Sequence, residues 1–234
     1  MKSNYETMRD RMQLKFLEYD QQHMIEKFGL DQDENYLYIE FAGRRYRIGR
    51  RSGKAEWSEN DFRTCAAAGY NEAMSIYDVL CCSRDGCRLS GRFCDVNHLK
   101  GTVQSSGPGQ SVFLRQIQKL DGKTEQFCRA CEALGGEKER TGDVSYLLHP
   151  FTFLPMLLKF WNSDEEFPAS LKIMWDEHIL DYVHYETTFF IAGHMLQRIL
   201  ELMNDRVDGS TERIGTAVSC VSVSGKRKAV YQLL

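Results

Sequence analysis

The chain reads as an α+β protein, a mostly antiparallel sheet of hairpins packed against several helices, on three observations. Residues 36–49 alternate apolar and polar side chains on either side of a turn at Ala42 and Gly43, the pattern of a β-hairpin. Two short apolar runs, 151–161 and 171–176, flank an acidic turn at Asp164, Glu165 and Glu166, a second strand–turn–strand signal. Tyr185, Phe189, Ala192, Leu196, Ile199 and Met203 then recur at spacings of four and three, so the period changes from sheet to a long helix over 184–203. Strands and helices never alternate in regular βαβ units, which argues against a doubly wound sheet.

Taken in order, Ser3 and Glu6 form a capping box, and Tyr5, Met8, Met12, Phe16, Tyr19 and His23 line one face of a helix that Gly29 ends. His23 falls on that stripe and reads as a core or boundary histidine rather than a ligand. After the first hairpin, Ser52 and Gly53 make a turn and 55–57 add a short third strand. Ser58 to Asp61 offer a cap, and Phe62, Cys65, Ala73, Ile76, Tyr77 and Leu80 describe one helix, or two with a break near Gly69. Residues 81–110 are irregular, a loop long enough to be functional or mobile. Short helices follow at 111–120 and 124–134, the second stopped by Gly135 and Gly136. Trp161 and Trp175 are expected to be buried on the flanks of the acidic turn's hairpin. Within the turn, Asn162, Ser163 and Asp164 are expected to bond to nearby amides, and Phe167, held extended by Pro168, to anchor the loop in the core. Beyond the long helix, 212–234 read as a final hairpin, so that residues 1–234 make a single domain with a core of 1–205.

Composition narrows the function. At 234 residues and 42% hydrophobic content the chain carries a sizeable core, and a net charge of −3 argues against nucleic acid as a partner. The first residues lack the apolar core of a leader, and no run reaches the roughly 18 apolar residues of a bilayer span, so the expected location is cytoplasmic, with no membrane association. The eight cysteines are then expected to be thiols or metal ligands. No phosphate-binding glycine loop, dinucleotide fingerprint, nucleophile elbow or zinc-protease helix is present.

Four constellations remain. Arg44, Arg45, Arg47, Arg50, Arg51 and Lys54 crowd eleven residues; they make either an anion site or a solvated face protecting an edge strand. Cys82, Cys87, Cys94 and His98 supply enough ligands for a tetrahedral zinc site, and Cys81 with Cys128 and Cys131 are thiolates that would complete an iron–sulfur site, or these are buried and idle thiols. Asp176, His178 and Glu186 share one end of the expected sheet, where a histidine beside carboxylates acts as general base or metal ligand, or where the acids merely cap turns. Trp161, Trp175, Tyr182 and Tyr185 belong to an aromatic concentration that either lines a pocket for a flat ligand or forms core. No cofactor is singled out.

The motifs Pro155 to Trp161, Asp164 to Pro168, Ile173 to Asp176, and Glu186 resemble the signature of a bacterial and archaeal family of about 200 residues, a single-domain length. That family is a domain of unknown function, common in anaerobes and sometimes fused to a small iron–sulfur cluster domain. The resemblance implies an uncharacterised, non-catalytic ligand- or cofactor-binding accessory protein of anaerobic redox or one-carbon metabolism, with a small-molecule ligand and a redox or iron–sulfur protein as partners. The alternatives are an enzyme with an Asp/His/Glu site, metal-assisted or not, and a protein-interaction module.

Overall fold

The structure, a computed structural model, describes residues 3–99 and 112–204. The expected terminal hairpin at 212–234 lies outside the described residues. Two antiparallel five-stranded sheets and six helices make up the rest. The first sheet has the order β1 (Asp31–Gln32), β2 (Tyr36–Phe41), β3 (Arg44–Gly49), β4 (Ala55–Ser58), β5 (Ala66–Ala67). The second runs β6 (Phe93–Asp95), β10 (Ser170–Asp176), β9 (Leu154–Trp161), β8 (Val144–Phe151), β7 (Glu137–Lys138).

The hairpins form where the alternation places them. In β2 and β3, Leu37 pairs with Ile48, Ile39 with Tyr46 and Phe41 with Arg44. Leu37, Ile39, Phe41, Tyr46 and Ile48 are all buried, so one face of the hairpin points into the core. Ala42 and Gly43, both at positive φ (50° and 70°), close it in the tight turn that matches strand twist. β9 and β10 pair from Trp161 with Ser170 to Met156 with Trp175. Pro150 sits in β8 where the register with β9 shifts between Leu148 and Phe151, the position at which a strand tolerates proline. There Pro150 turns its carbonyl to the other sheet and accepts from Ala42 N at 2.7 Å. The rings follow the same seam: Phe41 stacks on Phe151 (4.4 Å, 6°), Phe151 on Phe153 (5.6 Å), and Phe153 on Phe28 (4.4 Å).

The helix α6 (Tyr185–Asn204) runs past this seam with Ile191, Ala192, Met195, Leu196 and Ile199 buried. Around it lie α3 (Tyr70–Cys82), α4 (Leu114–Leu120), α5 (Thr124–Ala133) and β8. A polar knot ties α6 to the first sheet. Tyr46 donates to Glu72 Oε1 (2.7 Å), which leaves its oxygen to accept from His194 Nε2 (3.2 Å). His194 is 2% exposed, and burial drives its pKa down to about 4. The buried Arg198 donates to the carbonyl of Ala42 (3.3 Å) and pairs with Glu201 (2.5 Å).

Several expectations need correction. The first segment is two helices, α1 (Asn4–Phe16) and α2 (Gln21–Phe28), because Asp20 accepts from Gln22 N and His23 N and starts a second helix. The break turns His23 outward, where it meets Asp85 at 2.9 Å instead of joining the core. α3 begins only at Tyr70: Glu72 caps the amide of Gly69, and the residues before it turn back to form β5. Phe167 is 65% exposed, not an anchor. Asp164 does accept from the amides of Glu166 and Phe167, but Asn162 and Ser163 reach away, Asn162 to Asp143, Gly122 and Thr124 and Ser163 to Asp121. The turn is thus stapled from outside, and Phe167 has no work to do in the core. Trp175 is 1% exposed as expected, whereas Trp161 is half-buried.

Candidate functional site

A cavity of about 340 Å³ opens between β10 and the helices α4 and α6. Four rings wall it: Trp161 at the end of β9, Trp175 in β10, Phe113 just before α4, and Phe189 on α6. Phe113 and Phe189 stack at 6.5 Å. Leu171, Ile173, Val96 and Ala192 fill the gaps, while Asp95, Ser170, Lys172 and Thr188 bring polar groups. Local sequence accounts for the position of Trp161. Gly142 stands so close that an added Cβ would meet Phe160 O at 3.0 Å and the Trp161 ring at 3.4 Å, and its φ of 93° suits glycine. Of the four aromatic residues the sequence singled out, the cavity gathers Trp161 and Trp175. Tyr185 is one ring removed, edge-on to Phe189 at 5.4 Å, and Tyr182 lies with Phe153 in the inter-sheet stack.

The acidic end of β10 is built differently. Asp176 is fully buried and accepts from Ser90 N, Ser90 Oγ, Gly91 N and His178 N at 2.8–3.2 Å. The His178 ring meets the carbonyl of Arg88 (3.0 Å), and Glu186 is exposed on the first turn of α6. Asp176 and His178 thus meet through backbone, with the carboxylate saturated by the loop that it holds.

The cysteines separate as well. All seven that the structure describes are free thiols. Cys94 stands opposite Trp175 across β6 and β10, His98 is exposed, and Cys87 hydrogen-bonds Tyr182. Among the described residues, the one group of three whose ligating atoms converge is Asp78, Cys82 and His184, which joins Cys82 not to the other expected ligands but to an aspartate that no sequence pattern singled out. His184 immediately precedes α6, where its amide donates to Asp78 Oδ2 (2.8 Å) and its Nδ1 meets Asp78 Oδ1 (2.5 Å). The bonds to Asp78 and then to Cys82 raise the His184 pKa to about 10. Burial alone would raise the Asp78 carboxyl, but the bonds from His184 and Thr187 outweigh it and hold it low. Asp78 and Cys82 are four apart on α3, which was readable; their partner 102 residues past Cys82 was not.

Four of the six cations of the hairpin are paired with carboxylates. Arg44 lies over Trp57 at 3.8 Å and pairs with Glu59 and Glu201, Arg45 with Asp31 and Asp61, Arg47 and Lys54 with Glu56. Arg50 donates to Gln32 and to the carbonyl of Asp33. β3 is moreover an interior strand of its sheet, not an edge, so edge protection does not explain the charges.

Fold and cavity together define an α+β protein of two antiparallel sheets joined at a seam of stacked rings and held by one long helix. No described helix is long and apolar enough to cross a membrane. The chain belongs to the family described as Domain of unknown function (DUF3786), whose model matches residues 20–198. No curated protein and no solved structure matches the chain.

Proposed function

We propose that the chain is a non-catalytic accessory protein that takes a flat, largely apolar molecule bearing an anionic group into the cavity between β10 and α6. The observation that carries this is the pairing of four aromatic walls in about 340 Å³ with an exposed lysine, Lys172, while Asp95 is the one acid of the lining. That volume lies in the range of small-molecule sites, roughly 300–1,000 Å³, and aromatic walls with a few polar groups are their usual lining. Rings stack on a conjugated ligand, and the ammonium answers its charge. The resemblance to a family of anaerobes with iron–sulfur fusions extends the proposal to redox or one-carbon metabolism, with an iron–sulfur protein as partner. An acid–base enzyme at Asp176, His178 and Glu186 has less support, because Asp176 is committed to four donors.

The anilinonaphthalene sulfonate dye ANS, a conjugated ring system with one anionic group, serves as probe. Saturable binding at one site with quenching of tryptophan emission is expected. Trp161→Ala should weaken it at least about tenfold, or 1.4 kcal/mol, and Lys172→Ala should weaken it less. Unchanged binding in Trp161→Ala would remove the cavity from the account.

A further inference from the structure

We infer that Asp78, Cys82 and His184 form a site for one divalent late transition ion, zinc in the first place, separate from the aromatic cavity. Asp78 and Cys82 lie four residues apart on the last turns of α3 and so project from one face. His184 arrives from the start of α6. One donor atom from each, carboxylate oxygen, thiol sulfur and imidazole nitrogen, lies within 4.8 Å of the other two. That closeness separates a metal site from a nucleophile relay. If His184 bridged thiol and carboxylate through opposite ring nitrogens, two hydrogen bonds plus the ring would hold them about 7 Å apart. Here they converge instead.

The donor set selects the ion. A thiolate with an imidazole suits zinc and its neighbours and disfavours magnesium and calcium, which take oxygen donors. Two donors on one zinc at bonds near 2.0–2.1 Å stand about 3.3 Å apart. His184 Nδ1 and Asp78 Oδ1 are hydrogen-bonded at 2.5 Å. The ion replaces the proton of that bond, and the pair opens by less than about 1 Å. The frame is braced for it. Arg84, just past α3, bonds Asp181 through its backbone amide (2.8 Å) and its guanidinium (2.7 Å). Lys27 donates to the carbonyls of Ser83 and Arg84. Thr187 bonds Asp78 from α6. The His184 side chain is 59% exposed while that of Asp78 is 9%, so the three ligands form a half-open bowl. A fourth position faces water, the arrangement of ions that bind or activate a small molecule rather than of closed structural sites.

Cobalt(II) is the probe, added to the full chain after chelator treatment. Binding of one equivalent is expected, with a thiolate-to-cobalt charge-transfer band in the near ultraviolet and visible bands of tetrahedral intensity; zinc should then displace the cobalt. Cys82→Ser should abolish the charge-transfer band, and Asp78→Asn and His184→Gln, each removing a direct ligand, should weaken binding by more than the roughly 10- to 100-fold that loss of an outer-shell partner costs. Cys81→Ser, at the neighbouring thiol, should change nothing. Cys82→Ser keeps a hydroxyl where the thiol meets His184 and leaves the Asp78–His184 bonds in place, so it reports even if Asp78→Asn fails to fold. The inference falls if the charge-transfer band survives in Cys82→Ser, or if cobalt gives only weak octahedral bands. It falls equally if no ion binds; alkylation of Cys82 by iodoacetamide at a rate that depends on His184 would then mark the trio as a thiol–imidazole nucleophile.

Discussion

Among the described residues, two junctions set a buried aspartate beside a histidine, and what answers each carboxylate differs. At the end of β10, Asp176 receives two amides and a hydroxyl from the 90–91 turn and the amide of His178, and its side chain has no exposure. At the meeting of α3 and α6, Asp78 receives one amide, but its other partners are an imidazole and a hydroxyl, with a thiol nearby. The first is a carboxylate used as a backbone clamp; the second faces groups that can exchange a proton for a metal. A list of Asp and His positions does not tell them apart. Partner type and exposure do.

The largest expected effect breaks the first junction. Asp176→Ala leaves the Ser90, Gly91 and His178 amides without their acceptor in a dry site, and should cost roughly 3–5 kcal/mol in urea denaturation. A loss below about 1 kcal/mol would show that the 90–91 turn finds other partners. Next comes His194, a histidine whose carboxylate neighbour Glu72 is not enough to keep it charged. Its folded pKa lies near 4 against 6.5 for the free group, so the unfolded chain takes up the proton first. Stability from this residue is therefore full above about pH 6.5 and falls as the pH drops towards 4, by roughly 3 kcal/mol at the acid end. Urea midpoints across that window should show the slope, and His194→Gln should flatten it; a slope that persists assigns it to the carboxylates.

At the second junction, Asp78→Asn keeps one acceptor for the His184 amide. It should cost only about 1–2 kcal/mol without metal, a smaller loss than at Asp176. An equal loss at both sites would erase the distinction. The smallest effects belong to the acidic turn. Asp164→Ala should cost about 1 kcal/mol through its bonds to the Glu166 and Phe167 amides, and the exposed Glu165→Gln should stay within about 0.5 kcal/mol. A stabilisation by added divalent metal that Glu165→Gln removes would instead make that turn an ion site.

The elements with a strong period were legible in the chain. The hairpin of β2 and β3, the hairpin of β9 and β10 and the long α6 form where alternation or the four–three spacing places them. The break between α1 and α2 was hidden because Tyr19 and His23 keep the helical period across it, while the deciding signal is one polar cap, Asp20. Phe167 misled for the converse reason: an aromatic residue before a proline says extended, but not which way it faces. The cavity was half legible, since Trp161 and Trp175 could be named but Phe113 and Phe189 reach them only through tertiary packing. The Asp78 cluster rests on a contact between helices that no local pattern encodes.

Neighbouring residues on the first turns of α6 serve both candidate sites: Thr187 bonds Asp78, and Thr188 lines the aromatic cavity. Where both ligands favour one arrangement of that stretch over another, each alters the free energy of binding of the other, and by the same factor in both directions. With both sites as proposed here, the helix start acts as a thermodynamic coupler. Cobalt affinity measured with and without saturating dye, and dye affinity measured with and without saturating cobalt, then report one and the same coupling free energy.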